Sequence, residues 1–153
     1  MSNSQANQQD AELILKLYDL RREPVMREAR NFVATFSPAS IDDVLAVVSN
    51  FGVKENAYLR QVYGYWEMVA ALIVHGTLNA ALAYDTLQEM YFVYSIMQPY
   101  VEEFRQKANA PEFLKNVQKV VESSPEGKER ITVIRKRMAE FARMRAATAK
   151  QGA

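Results

Sequence analysis

Apolar residues recur at spacings of three and four along almost the whole chain, the period of helices that each bury one face. Leu13, Ile14, Leu17 and Tyr18 form the first stripe and predict a helix from Ala11 to about Arg21-Arg22-Glu23, where Pro24 stops it. Pro24 opens a second helix to about Ala34, with Val25, Ala29, Phe32 and Val33 facing inward. Ser37-Pro38-Ala39-Ser40 reads as a turn. Ser40, with Asp43 three residues on, then starts a short helix through Ile41, Val44, Leu45, Val47 and Val48 to Gly52.

The most apolar and aromatic stretch follows, from Tyr58 to Phe104, and reads as a core hairpin. Its first arm takes Asn56 as a cap, carries Leu59, Val62, Tyr63, Trp66, Val69, Ala70 and Ile73, and ends at His75-Gly76-Thr77. The second arm begins after Asn79 with Leu82, Leu87, Met90, Tyr91, Tyr94, Met97 and Val101. Pro99 kinks it or ends it near Met97. Asn109-Ala110-Pro111 marks a further helix through Phe113, Leu114, Val117, Val120 and Val121. Ser124-Pro125-Glu126 supplies cap, first helical residue and first-turn acid for the last one. In that helix Ile131, Ile134, Met138 and Phe141 form a narrow seam suited to packing against another helix, and Arg145 takes the next place.

No stretch alternates long enough to predict a strand, so the fold class is all-α: a compact bundle of about six to eight helices with a long basic C-terminal helix. A chain of 153 residues that is 49% apolar suits one domain, expected over residues 11–146 between a disordered tail (1–10) and a frayed end (147–153). Without cysteine there are no disulfides, thiolate metal sites or cysteine nucleophile. The first ten residues do not resemble a leader peptide, and the apolar run Met68–Val74 is far short of the about 20 residues of a membrane span. A cytoplasmic location and no transmembrane segment are therefore expected.

Charge changes this picture at one end. The net +1 divides into +5 from Glu126 onward and −4 before it. Arg130, Arg135, Lys136, Arg137 and Arg143 are accordingly candidates for binding a partner or an anion, including nucleic acid, against the simpler expectation of a solvated face. Tyr63, Trp66, Tyr91 and Tyr94 are candidates for an aromatic pocket, although aromatics at helical spacing are more often plain core. The number of tyrosines around the hairpin further suggests that some are exposed as a partner surface.

Catalytic candidates are sparse. His75, the single histidine, stands where it would cap a helix end. Asp85 and Glu89 are four apart and would share a helix face, fit for acid–base work or a hard cation, but a solvated face or a salt bridge to an arginine accounts for them more simply. The Glu-x-x-His element of di-iron bundles, Gly-rich phosphate loops and Ser–His–Asp signatures are absent, so neither a cofactor, a metal nor catalytic residues are expected.

The segments YWEMVAALIVHGTLNAALAYDTL and QPYVEEFR, with Pro24 and Arg27-Glu28-Ala29-Arg30 before them, resemble a widespread bacterial family of uncharacterised helical proteins described only as a domain of unknown function. Trp66, Gly76 and the Tyr84-Asp85 pair match its punctuation between about Leu13 and Val121. Thr77-Leu78-Asn79-Ala80 departs from the acidic helix start of that family. Some members carry an N-terminal membrane anchor, for which this sequence has no counterpart. The resemblance implies an all-α bacterial protein and no particular activity. The expectation is a non-enzymatic interaction or regulatory domain, with a protein partner or a homodimer through the last helix. Nucleic-acid binding by that helix, and small-molecule or metal binding near Tyr63, Trp66, Asp85 and Glu89, are the alternatives.

Overall fold

The long apolar helix in the middle of the sequence is the axis around which the other elements pack. The computed structural model describes residues 5–151, and these form helices and connecting loops with no strand. They are α1 (Gln8–Arg22), α2 (Pro24–Thr35), α3 (Ile41–Val48), α4 (Lys54–Val74), α5 (Ala80–Thr86), α6 (Gln88–Met97), α7 (Val101–Lys107), α8 (Lys115–Glu122) and α9 (Pro125–Gln151), with a 3-10 turn at Gln98–Tyr100. Helix α4 packs between α2 and α8, and α6 lies against α8 and α9. Trp66, Val62, Val69, Leu87, Tyr94 and Met97 are almost wholly enclosed at the centre.

Local signals set most of the helix ends. Asn7 accepts from the Asp10 amide while the Asp10 carboxylate accepts from the Asn7 amide, so α1 begins at Gln8 rather than Ala11. The second Asp10 oxygen accepts from the Asn79 amide at 2.8 Å, which buries this acid and ties α1 to the start of α5. Residues 1–4 of the expected tail lie outside the described residues, and residues 8–10 are helical. At the other end α9 continues through Gln151, past the expected fraying point at 147, and residues 152–153 lie outside the described residues.

Ser40 and Asp43 form the reciprocal cap of α3, which stops at Val48. Gly76, at φ +71°, terminates α4 with His75 at the cap, where only glycine is free of steric penalty. Pro99 divides α6 from α7 through the 3-10 turn.

Three expectations change for tertiary reasons. In α2 Ala29 and Val33 of the expected stripe face the core, but Met26 takes the place of Val25 there, leaving Val25 exposed and Phe32 half-buried. Asn56 does not cap α4; it is enclosed inside it, and its Nδ2 donates to the carbonyls of Val47 (3.2 Å) and Val48 (2.6 Å) at the end of α3. The helix expected from Pro111 starts only at Lys115, because Leu114 takes a left-handed conformation (φ 53°). That turn aims the first amides of α8 at Glu67 of α4. Its carboxylate accepts from Asn116 N (2.8 Å), Asn116 Nδ2 (2.8 Å) and Val117 N (3.1 Å).

Ser124 caps α9 by accepting from the Gly127 amide at 3.0 Å. Gly127 is pressed against α8 so closely that a Cβ there would fall inside the envelope of the Val121 carbonyl oxygen.

Candidate functional site

Of the acidic candidates, Glu89 is committed to holding the fold. Leu87, buried and with φ −104° and ψ 50°, separates α5 from α6, so Asp85 and Glu89 do not share a helix face: Asp85 is exposed and Glu89 turns inward. Glu89 accepts from Arg30 Nε (2.7 Å) and Nη2 (2.6 Å), a two-point grip, and from Arg21 Nη2. The bond to Glu89 holds the Arg30 guanidinium above its ordinary range, against the effect of its partial burial. Arg21 is nearly enclosed, with its guanidinium over the rings of Tyr18 (4.8 Å) and Trp66 (5.3 Å). His75 is exposed at its helix end. Among the described residues no three His, Cys, Asp or Glu side chains gather as a metal site.

The four candidate aromatics do not share a pocket. Tyr63, Trp66, Tyr91 and Tyr94 are all core residues. Tyr63 donates to the Val93 carbonyl (3.2 Å) and Tyr94 to Glu122 (2.8 Å), Trp66 meets the edge of Tyr65 at 4.9 Å, and Tyr91 meets Tyr84 at 5.8 Å. Burial raises the Tyr63 and Tyr94 phenols well above the ordinary range. It raises Tyr91 to about 12, partly offset by Arg130. Tyr63, together with Leu59, Met97 and Phe104, borders an apolar cavity of about 270 Å³ next to α4, while Tyr91 lines a separate pocket with Ile73 and Tyr84.

The expected patch of exposed tyrosines is absent among the described residues. Tyr18, Tyr58, Tyr65 and Tyr100 are half-buried at the rim, where their hydroxyls donate to Thr86 O, Glu28, Leu17 O and Pro38 O, pinning neighbouring helices. A ring with a polar tip satisfies both sides of such a boundary.

The basic candidates divide. Arg130 is structural: its guanidinium lies 3.4 Å from the Tyr84 ring centroid and 4.9 Å from that of Tyr91, and Nη1 donates to the Tyr84 carbonyl. Arg135, Lys136, Arg137 and Arg143 are exposed. At about 3.6 residues per turn, Lys136 and Arg143 share one side of α9, while Arg135 and Arg137 lie nearly opposite each other. They surround the helix rather than form a patch.

The expected seam covers only the first part of α9. Ile131 is buried, Ile134 and Met138 are half-buried, and Phe141 is 54% exposed. From Ala139 to Ala149 every side chain is exposed, so the far half of α9 extends away from the bundle. A second stripe, Val133, Arg137, Phe141 and Met144, was not separated from the seam by periodicity alone. Its apolar members are 47%, 54% and 62% exposed. Val133, Arg137 and Phe141 of that stripe, with Phe92 and Gln88 of α6 and Tyr84, line a groove of about 580 Å³. Among the described residues no helix is long and apolar enough to cross a membrane.

A family model described as "Domain of unknown function (DUF4760)" matches residues 7–124, from the residue that caps α1 to the residue that caps α9. Comparison with curated proteins finds no match. Comparison with solved structures finds none either.

Proposed function

The chain belongs to the DUF4760 family, and on that premise we propose that it is a non-enzymatic helical interaction domain that binds an acidic amphipathic helix of a protein partner along α9. The observation that carries this reading is the exposed stripe of Val133, Phe141 and Met144, with Arg137 among them, beside the α6–α9 groove on a helix that runs past its own bundle. Large apolar side chains aligned on a free helix face suit a helix-in-groove contact, where anchors at spacings of three and four do most of the work. The chemistry of the partner follows from the flanks. Between Arg135 and Ala149 five exposed cations outnumber a single acid, Glu140; Arg137 lies within the stripe and Lys136, Arg143 and Arg145 beside it, while Arg135 is on the opposite side. A second α9 would bring like charges together, whereas an acidic helix would pair with them. Glu89, one of the two acids considered for catalysis, supports the same reading, since it is spent on two arginines.

The test is binding of a labelled acidic amphipathic model peptide to the full chain, by fluorescence anisotropy at low and at physiological salt. Micromolar binding that is lost in Phe141→Ser and Met144→Ser is expected, since both side chains are exposed and their removal leaves the core intact. Binding unaffected by either substitution would overturn the proposal. So would concentration-dependent dimerisation of the chain through α9, or duplex DNA binding that weakens steeply with salt and ignores Phe141 and Met144.

A further inference from the structure

The cavity beside Tyr63 lies apart from the α9 groove and shares no residue with it. Its walls are Leu59 and Tyr63 of α4, Met97, Phe104 and the 113–114 segment, with Val48 at one side. Phe113 lies over it, with ring centroids 4.3 Å from Phe104 and 6.3 Å from Tyr63. The segment carrying Phe113 is held in place by Arg105, whose Nε and Nη2 donate to the Phe113 carbonyl at 3.0 and 2.8 Å. The left-handed backbone of Leu114, costly for a bulky residue, puts that side chain into the wall.

The mouth is formed by Arg60, Gly64 and Glu67, one above the other along α4. Gly64 stands in the interior of a 21-residue helix, where glycine is the poorest residue after proline. Packing does not require it, because a Cβ there would meet no atom within 4 Å. Gly64 lines the cavity, so its missing side chain leaves open space at that point of the rim.

The charges at the rim specify what enters. Glu67 is spent on the amides of α8, and Glu112 pairs with Lys115 at 2.8 Å. Arg60 has no carboxylate partner among the described residues. Its Nε donates to Asn56 Oδ1 at 2.9 Å and its guanidinium rests 5.8 Å from the Phe51 ring, an arrangement that orients the fork and leaves both terminal nitrogens to donate outward.

We propose that this cavity binds a small amphiphilic monoanion, its apolar body between Tyr63, Met97 and Phe104 and its carboxylate or equivalent anion on Arg60. A volume of about 270 Å³ lies just below the range of drug-sized ligand sites, about 300 to 1,000 Å³. It suits a medium-length carbon chain and excludes a dinucleotide or other large cofactor.

The test uses the full chain with decanoate and decanol, below the concentrations at which they self-associate, displacing the fluorescence of bound anilinonaphthalene sulfonate. Decanoate should bind more tightly than decanol by about threefold to tenfold, the range of one ordinary net hydrogen bond, because water at the exposed rim holds the pair below the scale of a buried charged one. Arg60→Gln should abolish that preference and leave decanol unchanged. Gly64→Leu should weaken both at least about tenfold by filling the entrance, with an unchanged or higher Tm because leucine is the better helix former. Failure of decanoate to bind at millimolar concentration, or undiminished binding by Gly64→Leu, would overturn the site. Equal affinity for decanoate and decanol would overturn the role of Arg60.

Discussion

Removal of the Glu89 carboxylate is the perturbation whose consequence the structure specifies most fully. Glu89→Ala leaves two arginines facing each other with nothing between them. Their surroundings differ: the Arg21 side chain is 10% exposed, under Tyr18 and Trp66, whereas that of Arg30 is 29% exposed. Arg30 can turn into water, and its share of the loss falls on the surface scale of about 0.2–1 kcal/mol. Arg21 cannot, and an ion left unpaired in a buried site costs about 3–5 kcal/mol. Because the Glu89 site is itself 17% exposed, water can enter the gap, and the lower part of that range applies. A total of about 3 kcal/mol is expected, which for a domain of this size lowers Tm by about 6–12 °C.

Urea unfolding followed by Trp66 fluorescence is the assay, since Trp66 lies against the Arg21 guanidinium. The midpoint should fall with the slope m unchanged. A second substitution separates charge from shape. In the Glu89→Leu background, Arg21→Met removes the stranded charge and should recover about half or more of the loss, because a packed apolar pair replaces a buried ion pair at little cost. A loss below about 1 kcal/mol for Glu89→Ala, or no recovery with Arg21→Met, would refute the reasoning and make the cluster a solvated surface group.

Two further outcomes rest on other contacts. Glu67→Ala should cost about 1–2 kcal/mol, the scale of a lost helix cap, and should speed amide exchange at Asn116 and Val117; protection unchanged at those two amides would contradict the capping role. Burial raises Tyr65 and Tyr91 to about 12, and Tyr63 and Tyr94 higher still. The folded state thus prefers these phenols neutral, a contribution complete below the ordinary phenol value of about 10 and lost as pH rises through the folded values. An absorbance titration should show them ionising together with unfolding, and independent ionisation near pH 10 in the folded chain would contradict the burial argument.

What the sequence disclosed follows from how far each interaction reaches along the chain. Ser124-Pro125-Glu126, Ser40 with Asp43, and Gly76 act within a turn of themselves, and each was legible. Asn56 looks like a helix cap because the motif is local, yet its donors serve the end of the preceding helix. Glu67 reaches Asn116, and Glu89 reaches Arg21, across 49 and 68 residues respectively, and no local pattern pairs them. The break at Leu87 occurs without glycine or proline to announce it, and Pro111 announces a helix start but not the left-handed turn at Leu114 that delays it to Lys115. The tyrosines pointed to a surface because periodicity counts rings and ignores hydroxyls; the hydroxyls keep them at the rim. Arg130 reads as one of a basic run and was separable from it only by its two rings. Gly64 carried the signal for the cavity, a glycine inside a strong helix, but its meaning depends on the empty space over it.

The contact between Gly127 and the Val121 carbonyl acts as the elbow of a lever. About 33 Å of helix lies between Gly127 and Ala149 at 1.5 Å per residue, so a swing of about 10° at the elbow would carry the far end by about 6 Å, more than a helical turn. The direction in which Phe141 and Met144 are held out is thus set by the packing of Ile131, Ile134 and Met138 together with a place where a hydrogen fits and a methyl group does not. A single methyl at Gly127 would leave the chemistry of the outer helix untouched and change where it is presented.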